Sequence, residues 1–131
     1  MIKIMLVDND PVYTNLMAEV LKLHSFNIVI APDGEAALEI LQHDPVDLVI
    51  SDISMPKMNG MNLHKHIRSD QKFKNLFFVW NSGYRELRDV VDVENPATDF
   101  KLDKAIPMPS FLYFINSLQE RIERRKQALQ N

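Results

Sequence analysis

The chain contains no cysteine, and this absence excludes several kinds of site at once. A chain without thiols has no disulfide framework, no thiolate zinc site and no cysteine nucleophile. No apolar run approaches the roughly 20 residues that a membrane-spanning helix needs, so we expect no contact with a membrane. The first residues run from Met1 straight into Asp8 without the small-residue cleavage site of a signal peptide. We therefore expect the protein to work in the cytoplasm.

A marked excess of charge of one sign is also absent. The chain has 15 basic and 18 acidic residues, and the net charge of −3 gives no general reason to expect nucleic-acid binding by this domain. Hydrophobic residues make up 46% of the 131 residues, which is typical of a folded domain and excludes a disordered chain. This length indicates one domain with a single good core.

Short apolar runs alternate five times with helical patterns. The predicted strands cover residues 2–7, 26–31, 48–50, 76–80 and 99–103. The predicted helices cover residues 11–24, 35–41, 61–68 and 84–93, with a long last helix from about residue 109. Such alternation predicts an α/β fold with a parallel sheet, right-handed crossovers and helices on both faces.

The apolar residues of each helical pattern predict which side faces the core. For the first helix the predicted apolar stripe consists of Val12, Leu16, Val20 and Leu23, widened by Met17 and Leu21. For the third and fourth helices it consists of Leu63, Ile67, Leu87, Val90 and Val91. His64 and His66 lie two apart in sequence and have no partner at metal-ligand spacing, so we expect both to be solvated.

Polar residues follow four of the predicted strands at the point where each strand ends. These residues are Asp8, Asn9 and Asp10 after the first strand, Asp52 after the third, Ser82 after the fourth and Lys104 after the fifth. Because the carboxyl ends of parallel strands lie along one edge of a sheet, we expect these residues to converge there.

Their chemistry indicates phosphoryl transfer. Oxygen ligands without histidine or cysteine suit Mg²⁺, which keeps several waters and binds one or two carboxylates together with phosphate oxygens. Lys104 adds a positive charge for phosphoryl oxygens and Ser82 adds a hydroxyl. In such a site an oxygen of Asp52 would attack in line to give an aspartyl phosphate.

Four pieces of the sequence, in this order, resemble the receiver domain of two-component response regulators over roughly residues 2–122. The pieces are Leu6-Val7-Asp8-Asn9-Asp10-Pro11, Asp52-Ile53-Ser54-Met55-Pro56-Lys57-Met58-Asn59-Gly60, Ser82-Gly83 and Lys104. The resemblance implies a flavodoxin-like sheet of strand order 2-1-3-4-5, with 1–122 as the receiver domain and 123–131 as a helical extension or linker. It also implies phosphorelay signalling, in which the protein catalyses only its own phosphotransfer and dephosphorylation.

The resemblance also implies roles for single residues. Asp52 would accept a phosphoryl group from a phosphohistidine on a sensor histidine kinase or phosphotransfer protein. Ser82 and Lys104 would bind the phosphoryl oxygens and switch the surface of the fourth and fifth helices toward a downstream effector. The implied Mg²⁺ ligands are Asp8, Asn9, Asp10, Asp52 and the backbone carbonyl of Ser54.

Three positions depart from the family pattern. Asn9 stands where receivers carry a second acid, so we predict weaker Mg²⁺ binding than in a site with both acids. Ala105 follows Lys104 where a proline with a cis bond is usual, and we predict a trans bond or a rearranged loop because a non-proline cis bond costs about 2.5–4 kcal/mol. Lys101 falls at the usual position of the switch aromatic, so either the fifth strand is shifted by one residue or the aromatic switch is absent.

Several alternatives stay open at this point. A pseudo-receiver would have the same fold but act as an interaction module independent of phosphorylation. An aspartate-nucleophile phosphatase ranks lower because Ser54 stands where its second Asp is usual. A flavodoxin ranks lower still because acids follow the first strand, where a bound phosphate needs donors. The last helix is either a solvated end or a stalk for a homodimer or a downstream effector.

Overall fold

Five parallel strands form one sheet in the order β2-β1-β3-β4-β5. The strands are β1 (Lys3–Val7), β2 (Asn27–Ala31), β3 (Leu48–Ser51), β4 (Phe77–Ser82) and β5 (Asp99–Asp103). The structure is a computed structural model that describes residues 1–55, 57–91 and 93–130. Pro56 of the predicted motif, Asp92 of the predicted fourth helix and Asn131 of the predicted extension lie outside the described residues. The predicted strand order is confirmed.

Five helices connect or follow the strands. They are α1 (Pro11–Leu23), α2 (Gly34–His43), α3 (Gly60–Ser69), α4 (Arg85–Val90) and α5 (Met108–Gln130). A 3-10 turn at Gln71–Phe73, which the sequence did not indicate, precedes β4. The side chains of Asp10, Asp33 and Asn59 cap the first three helices by accepting backbone N–H bonds, as their residue types favour. In the described parts of the chain, no helix has the length and apolar character needed to cross a membrane.

The sheet is covered on both faces, and the pleat of each strand divides its side chains between them. In β1, Ile4 and Leu6 join the core cluster under α1 and α5. Met5 and Val7 join the cluster under α2 and α3. Both faces are therefore apolar, and polar side chains concentrate at the ends of the strands.

The predicted apolar stripe of α1 is wrong for three of its members. Val12, Leu16 and Leu23 are exposed by 78%, 56% and 83% of their surface. The buried residues of this helix are Thr14, Met17, Ala18 and Leu21. Thr14 enters the core because its hydroxyl is satisfied by the carbonyl of Asp10 at 3.2 Å. The buried face of α1 is therefore narrower than the predicted stripe and includes the small side chains of Thr14 and Ala18. A pattern based on large apolar residues does not detect such a face.

The prediction that His64 is solvated is also wrong, whereas His66 is exposed as expected. His64 lies on the inner face of α3 beside the buried Leu63, and only 4% of its surface is exposed. Its Nε2 lies 3.1 Å from Oδ2 of Asp99, the first residue of β5. The sequence could not indicate this partner because the two residues meet only through the packing of α3 against the sheet.

Helix α4 is shorter than predicted. It ends at Val90, which is 67% exposed and so does not belong to the apolar face predicted for it. Val91 is buried as predicted, but in an extended conformation with φ −78° and ψ 151°. Leu87 is half-buried and packs on the α2/α3 side of the sheet.

Helix α5 runs unbroken from Met108 to Gln130. Beyond Ile122, Glu123 pairs with the amino terminus at 3.2 Å and Lys126 pairs with Asp47 at 2.7 Å. The guanidinium of Arg125 lies 5.3 Å from the centre of the Phe77 ring. The division of the chain after residue 122 stays a prediction about domain organisation.

Candidate functional site

The carboxyl edge of the sheet brings together charged side chains that follow β1, β3 and β5. Nζ of Lys104 lies 2.6 Å from Oδ2 of Asp8 and 3.3 Å from Oδ2 of Asp52. Asp52 follows β3 directly, and its backbone N–H donates to the carbonyl of Val7 at the end of β1. The parallel register therefore produces this cluster, which we call the Asp8–Lys104–Asp52 cluster.

The cluster has two carboxylates and one ammonium, and its residues are largely withdrawn from water. Asp8 is buried, and Asp52 and Lys104 are partly buried. Burial raises the pKa of Asp52, and the neighbouring Asp8 adds to the rise, while Lys104 opposes it. Burial alone would lower the pKa of Lys104, but its hydrogen bonds and charge interactions with Asp8 and Asp52 outweigh burial and raise the pKa. Lys104 is therefore held in its protonated form. Its charge balances that of Asp52 only in part, because Asp8 shares the same ammonium group.

Gly60 shapes the loop that follows Asp52. A Cβ added at Gly60 would clash with the carbonyl oxygen of Asp52 and would lie 3.0 Å from Cζ3 of Trp80. The Gly60 N–H donates to the carbonyl of Ile53 at 2.8 Å, so the loop folds back onto the residues after β3. The Ile53 N–H donates to Oδ1 of Asp52, also at 2.8 Å, which orients the carboxylate. Position 60 therefore requires a glycine, because any side chain there would collide with the carbonyl of Asp52.

The other predicted site residues occupy different surroundings. Ser82 is fully buried at the end of β4, where its Oγ accepts the Tyr84 N–H at 3.1 Å. Asp10 is exposed, and its Oδ1 accepts the N–H groups of Val12 and Tyr13 as the cap of α1. Asn9 and Ser54 are exposed. The cap therefore engages one oxygen of Asp10 in a local structural role.

A Mg²⁺ site at this edge would depend on two carboxylates. In the described residues, no group of three or more acidic, histidine or cysteine side chains is arranged to hold a metal. The oxygen donors that are present, the Asp8 and Asp52 carboxylates with the neighbouring Asn9 amide, are nevertheless the kind that Mg²⁺ accepts while it retains several waters. The donor chemistry fits this ion.

The structure decides two of the three departures noted in the sequence. No peptide bond in the described parts of the chain is cis, so the predicted trans Lys104–Ala105 bond is confirmed. Lys101 is exposed, whereas Phe100 stacks on Phe77 at 5.9 Å on the α1/α5 side. Strand β5 pairs with β4 in continuous register and Lys104 reaches the site, which favours the second alternative, an absent aromatic switch.

Sequence reasoning overlooked three side chains near the cluster. Nδ2 of Asn81 donates to the hydroxyl of Tyr13 at 2.7 Å, and the Tyr13 ring lies under Lys104. Arg88 of α4 donates through Nη1 to the carbonyl of Ser82 at 2.6 Å and contacts Asp103 through Nη2 at 3.3 Å. Of the three, only Asn81 could have been noticed in the sequence, because it is a polar residue that continues the apolar run of β4. A buried amide requires a hydrogen-bond partner, so its position indicates a contact with another polar side chain.

Comparison with known proteins identifies this arrangement. The family described as "Response regulator receiver domain" matches residues 4–113. The chain belongs to this family. Its members are the receiver domains of two-component response regulators, so the chain is a receiver domain of phosphorelay signalling.

Relatives of known sequence agree with this. The chain is 38% identical to the transcriptional regulatory protein CpxR of Escherichia coli K12 over 98 residues, which cover 75% of this chain and 41% of that protein. It is 30% identical to the probable transcriptional regulator ycf29 of Pyropia yezoensis over 129 residues, covering 98% of this chain and 58% of that protein. The chain therefore spans only about half the length of these relatives.

Solved structures show the same fold. The response regulator TrrA of Thermotoga maritima, solved in complex with Mg²⁺-BeF, has a TM-score of 0.78 and 29% identity, with 90% of this chain and 99% of that chain covered. A signal receiver domain of a histidine kinase from Syntrophus aciditrophicus has a TM-score of 0.83 at 22% identity, with 95% and 94% covered. The second likeness supports the fold alone.

Proposed function

We propose that Asp52 accepts a phosphoryl group from a phosphohistidine of a sensor histidine kinase or phosphotransfer protein. The observation that carries the proposal is the ammonium of Lys104, held 3.3 Å from the Asp52 carboxylate and 2.6 Å from Asp8 at the carboxyl edge of the sheet. A fixed cation beside a nucleophilic carboxylate is what an incoming phosphoryl group requires, since its charge must be neutralised as it transfers.

In the proposed step, a carboxylate oxygen of Asp52 forms a bond to phosphorus while the phosphorus–nitrogen bond of the phosphohistidine breaks. The electron pair of that bond returns to the histidine nitrogen, and the ring leaves as neutral imidazole because its other nitrogen carries a proton. Lys104 attracts the phosphoryl oxygens, and the hydroxyl of Ser82 donates a hydrogen bond to one of them. The Ile53 N–H keeps the Asp52 carboxylate oriented throughout.

The residues that would hold Mg²⁺ are Asp8, Asn9, Asp10, Asp52 and the backbone carbonyl of Ser54. When bound, the ion would supply further neutralisation of the phosphoryl oxygens. TrrA, at 29% identity, was solved with Mg²⁺-BeF, which supports the same ion for this chain. With Asn9 in place of an acid, we expect its affinity to be lower than in a site with both acids.

The output of the phosphorylated state is proposed to pass to an effector protein or domain through α4, β5 and α5. Arg88 supports this route because it joins the carbonyl of Ser82 to α4 and to Asp103. We further propose that the protein works in the cytoplasm, catalyses only its own phosphotransfer and dephosphorylation, and uses α5 if it forms a homodimer. This domain is proposed to bind neither nucleic acid nor membrane.

A second candidate is a pseudo-receiver that acts without phosphorylation. Two observations favour it: the exposed Lys101 offers no ring to bury on activation, and Asp10 is engaged as a helix cap. In this case the ion pairs of the Asp8–Lys104–Asp52 cluster would hold the domain in one conformation, and its interaction surface would not change.

Incubation with acetyl phosphate and Mg²⁺, followed by intact mass measurement, separates the two functions. We expect a single added phosphoryl group in the wild-type chain and in Asp89→Asn, a control that removes an exposed carboxylate from α4. We expect none in Asp52→Asn. No added group in the wild type, also with histidine kinase donors, would favour the pseudo-receiver, and an added group in Asp52→Asn would place the acceptor elsewhere.

A further inference from the structure

Lys104 has a third neighbour besides its two carboxylates. Its Nζ lies 4.7 Å from the centre of the Tyr13 ring, within the roughly 6 Å over which a cation is attracted to an aromatic face. Tyr13 belongs to the first turn of α1, and the Asp10 cap receives its backbone N–H. The helix that begins beside the site thus delivers the ring to the ammonium.

Asn81 holds the Tyr13 side chain in place. It donates from Nδ2 to the Tyr13 hydroxyl at 2.7 Å and is only 3% exposed. A buried amide needs partners for its polar groups, and the Tyr13 hydroxyl is the partner of the Asn81 Nδ2 group. This hydrogen bond fixes the position of the Tyr13 ring.

We propose that Tyr13, braced by Asn81, is a positioning residue that keeps the Lys104 ammonium beside Asp52 during phosphoryl transfer. The inference rests on the proposed function of Asp52. During transfer the ammonium must exchange its hydrogen bonds with carboxylates for bonds to phosphoryl oxygens. The Tyr13 ring attracts the charge through its face and has no anionic oxygen that must be displaced, so this contact persists during the exchange.

Two substitutions of Tyr13 separate the ring from the hydroxyl. Tyr13→Phe keeps the aromatic face, while Tyr13→Met replaces it with a flexible apolar side chain that fills the space. The matched control is Tyr113→Met, which removes a tyrosine that is 77% exposed on α5. The first measurement is the proton chemical shift of the Lys104 Hε group in the unphosphorylated chain. The second is the initial rate of phosphorylation by subsaturating acetyl phosphate with Mg²⁺.

In Tyr13→Met we expect the Lys104 Hε resonance to move to the position of a lysine remote from any ring. The phosphorylation rate should fall roughly threefold to tenfold, as the loss of one cation–π contact implies. Tyr113→Met should stay within about twofold of the wild-type rate, with the Lys104 resonance unmoved. Tyr13→Phe keeps the ring but loses the hydrogen bond to Asn81, so its rate and its Lys104 resonance should lie between those of the wild type and of Tyr13→Met.

An unchanged rate and resonance in Tyr13→Met, or an equal loss in Tyr13→Phe, would overturn the inference. Should Tyr13→Met fail to fold, Asn81→Leu replaces it, because an unbraced ring loses its fixed place and the Lys104 resonance must shift. An unmoved resonance in Asn81→Leu overturns the inference. A wild-type chain that accepts no phosphoryl group would overturn the proposed function, and the resonances would still report whether Tyr13 holds Lys104.

Discussion

The molecule contains two clusters of charged side chains with opposite proportions of acid and base. One has more carboxylates than cationic groups, and the other has more cationic groups than carboxylates. In the Asp8–Lys104–Asp52 cluster, one cation faces two carboxylates. In the second, which we call the Asp99 cluster, a single buried carboxylate faces Arg68 at 2.6 Å and His64 at 3.1 Å. The backbone N–H groups of Glu94 and Asn95 also donate to Asp99.

The pKa values of the two clusters move in opposite directions. Burial raises the pKa of Asp52, with Asp8 adding to the rise. Burial acts in the same direction on Asp99, but the interactions with His64 and Arg68 and the backbone hydrogen bond outweigh it and lower the pKa to about 2. The negative charge of Asp99 is thus balanced by the groups around it. The negative charge of Asp52 is balanced only in part, so a cationic ligand would stabilise it further. This difference supports the proposal that the Asp8–Lys104–Asp52 cluster is the reactive one and that the Asp99 cluster is structural.

The largest expected effect follows from Asp99→Asn. The substitution leaves Arg68, whose side chain is 5% exposed, as a buried charge without its carboxylate. We expect the free energy of unfolding to fall by about 3–5 kcal/mol, measured by urea denaturation at pH 7. The control is Asp44→Asn, which breaks the half-exposed pair of Asp44 with Lys3 and should cost at most about 1 kcal/mol. Equal losses in the two variants would contradict the assignment of Asp99 as a structural centre.

A smaller effect is the acid dependence of stability. Because the folded pKa of Asp99 is about 2 against an ordinary value of 3.8, its contribution is fully present above pH 3.8 and is lost as the pH falls through 2. The loss amounts to about 2 kcal/mol. Between pH 5 and pH 2 the difference in unfolding free energy between the wild type and Asp99→Asn should therefore shrink by about 2 kcal/mol. A difference that stays constant would show that Asp99 has no lowered pKa.

The third prediction concerns the missing acid of the reactive cluster. Asn9→Asp adds a carboxylate beside Asp8, and we expect the affinity for Mg²⁺ to rise by roughly tenfold because ligand charge sets the strength of such sites. Trp80, whose ring lies close to Gly60 and the Asp52 backbone, can report binding by fluorescence. Asn116→Asp on the exposed side of α5 makes the same change of charge at a distance. Tight saturation of the wild type at micromolar Mg²⁺ would contradict the prediction.

The smallest effect is expected from the stability of Asp52→Asn. A raised pKa means that the ionised carboxylate is less favourable in the folded chain than in the unfolded chain, so its neutral replacement relieves the burial of a charge and the repulsion from Asp8. We expect unfolding at pH 7 to require the same free energy or up to about 1 kcal/mol more. A loss of stability comparable to that of Asp99→Asn would show that the two clusters do not differ as described.

Much of this was accessible from the sequence because it depends on local order along the chain. The alternation of apolar runs and helical patterns predicts a parallel sheet, and a parallel sheet places Asp8, Asp52 and Lys104 at one edge. The confirmed trans bond before Ala105 follows from the chemistry of a single peptide unit. The spacing from Asp52 to Gly60 reflects a backbone contact within one loop.

Contacts between distant elements were decided only by the tertiary structure. His64 belongs to the core because Asp99 meets it from another strand, and Val12 and Leu16 are exposed because Thr14 and Ala18 face the sheet instead. Tyr13, Asn81 and Arg88 reach the site through the packing of α1, β4 and α4. The order of residues along the chain therefore determined which groups stand at the edge of the sheet. The packing of helices decided which of the charged groups have an oppositely charged partner. Such pairing depends on distances between side chains, and no spacing along the sequence specifies these distances.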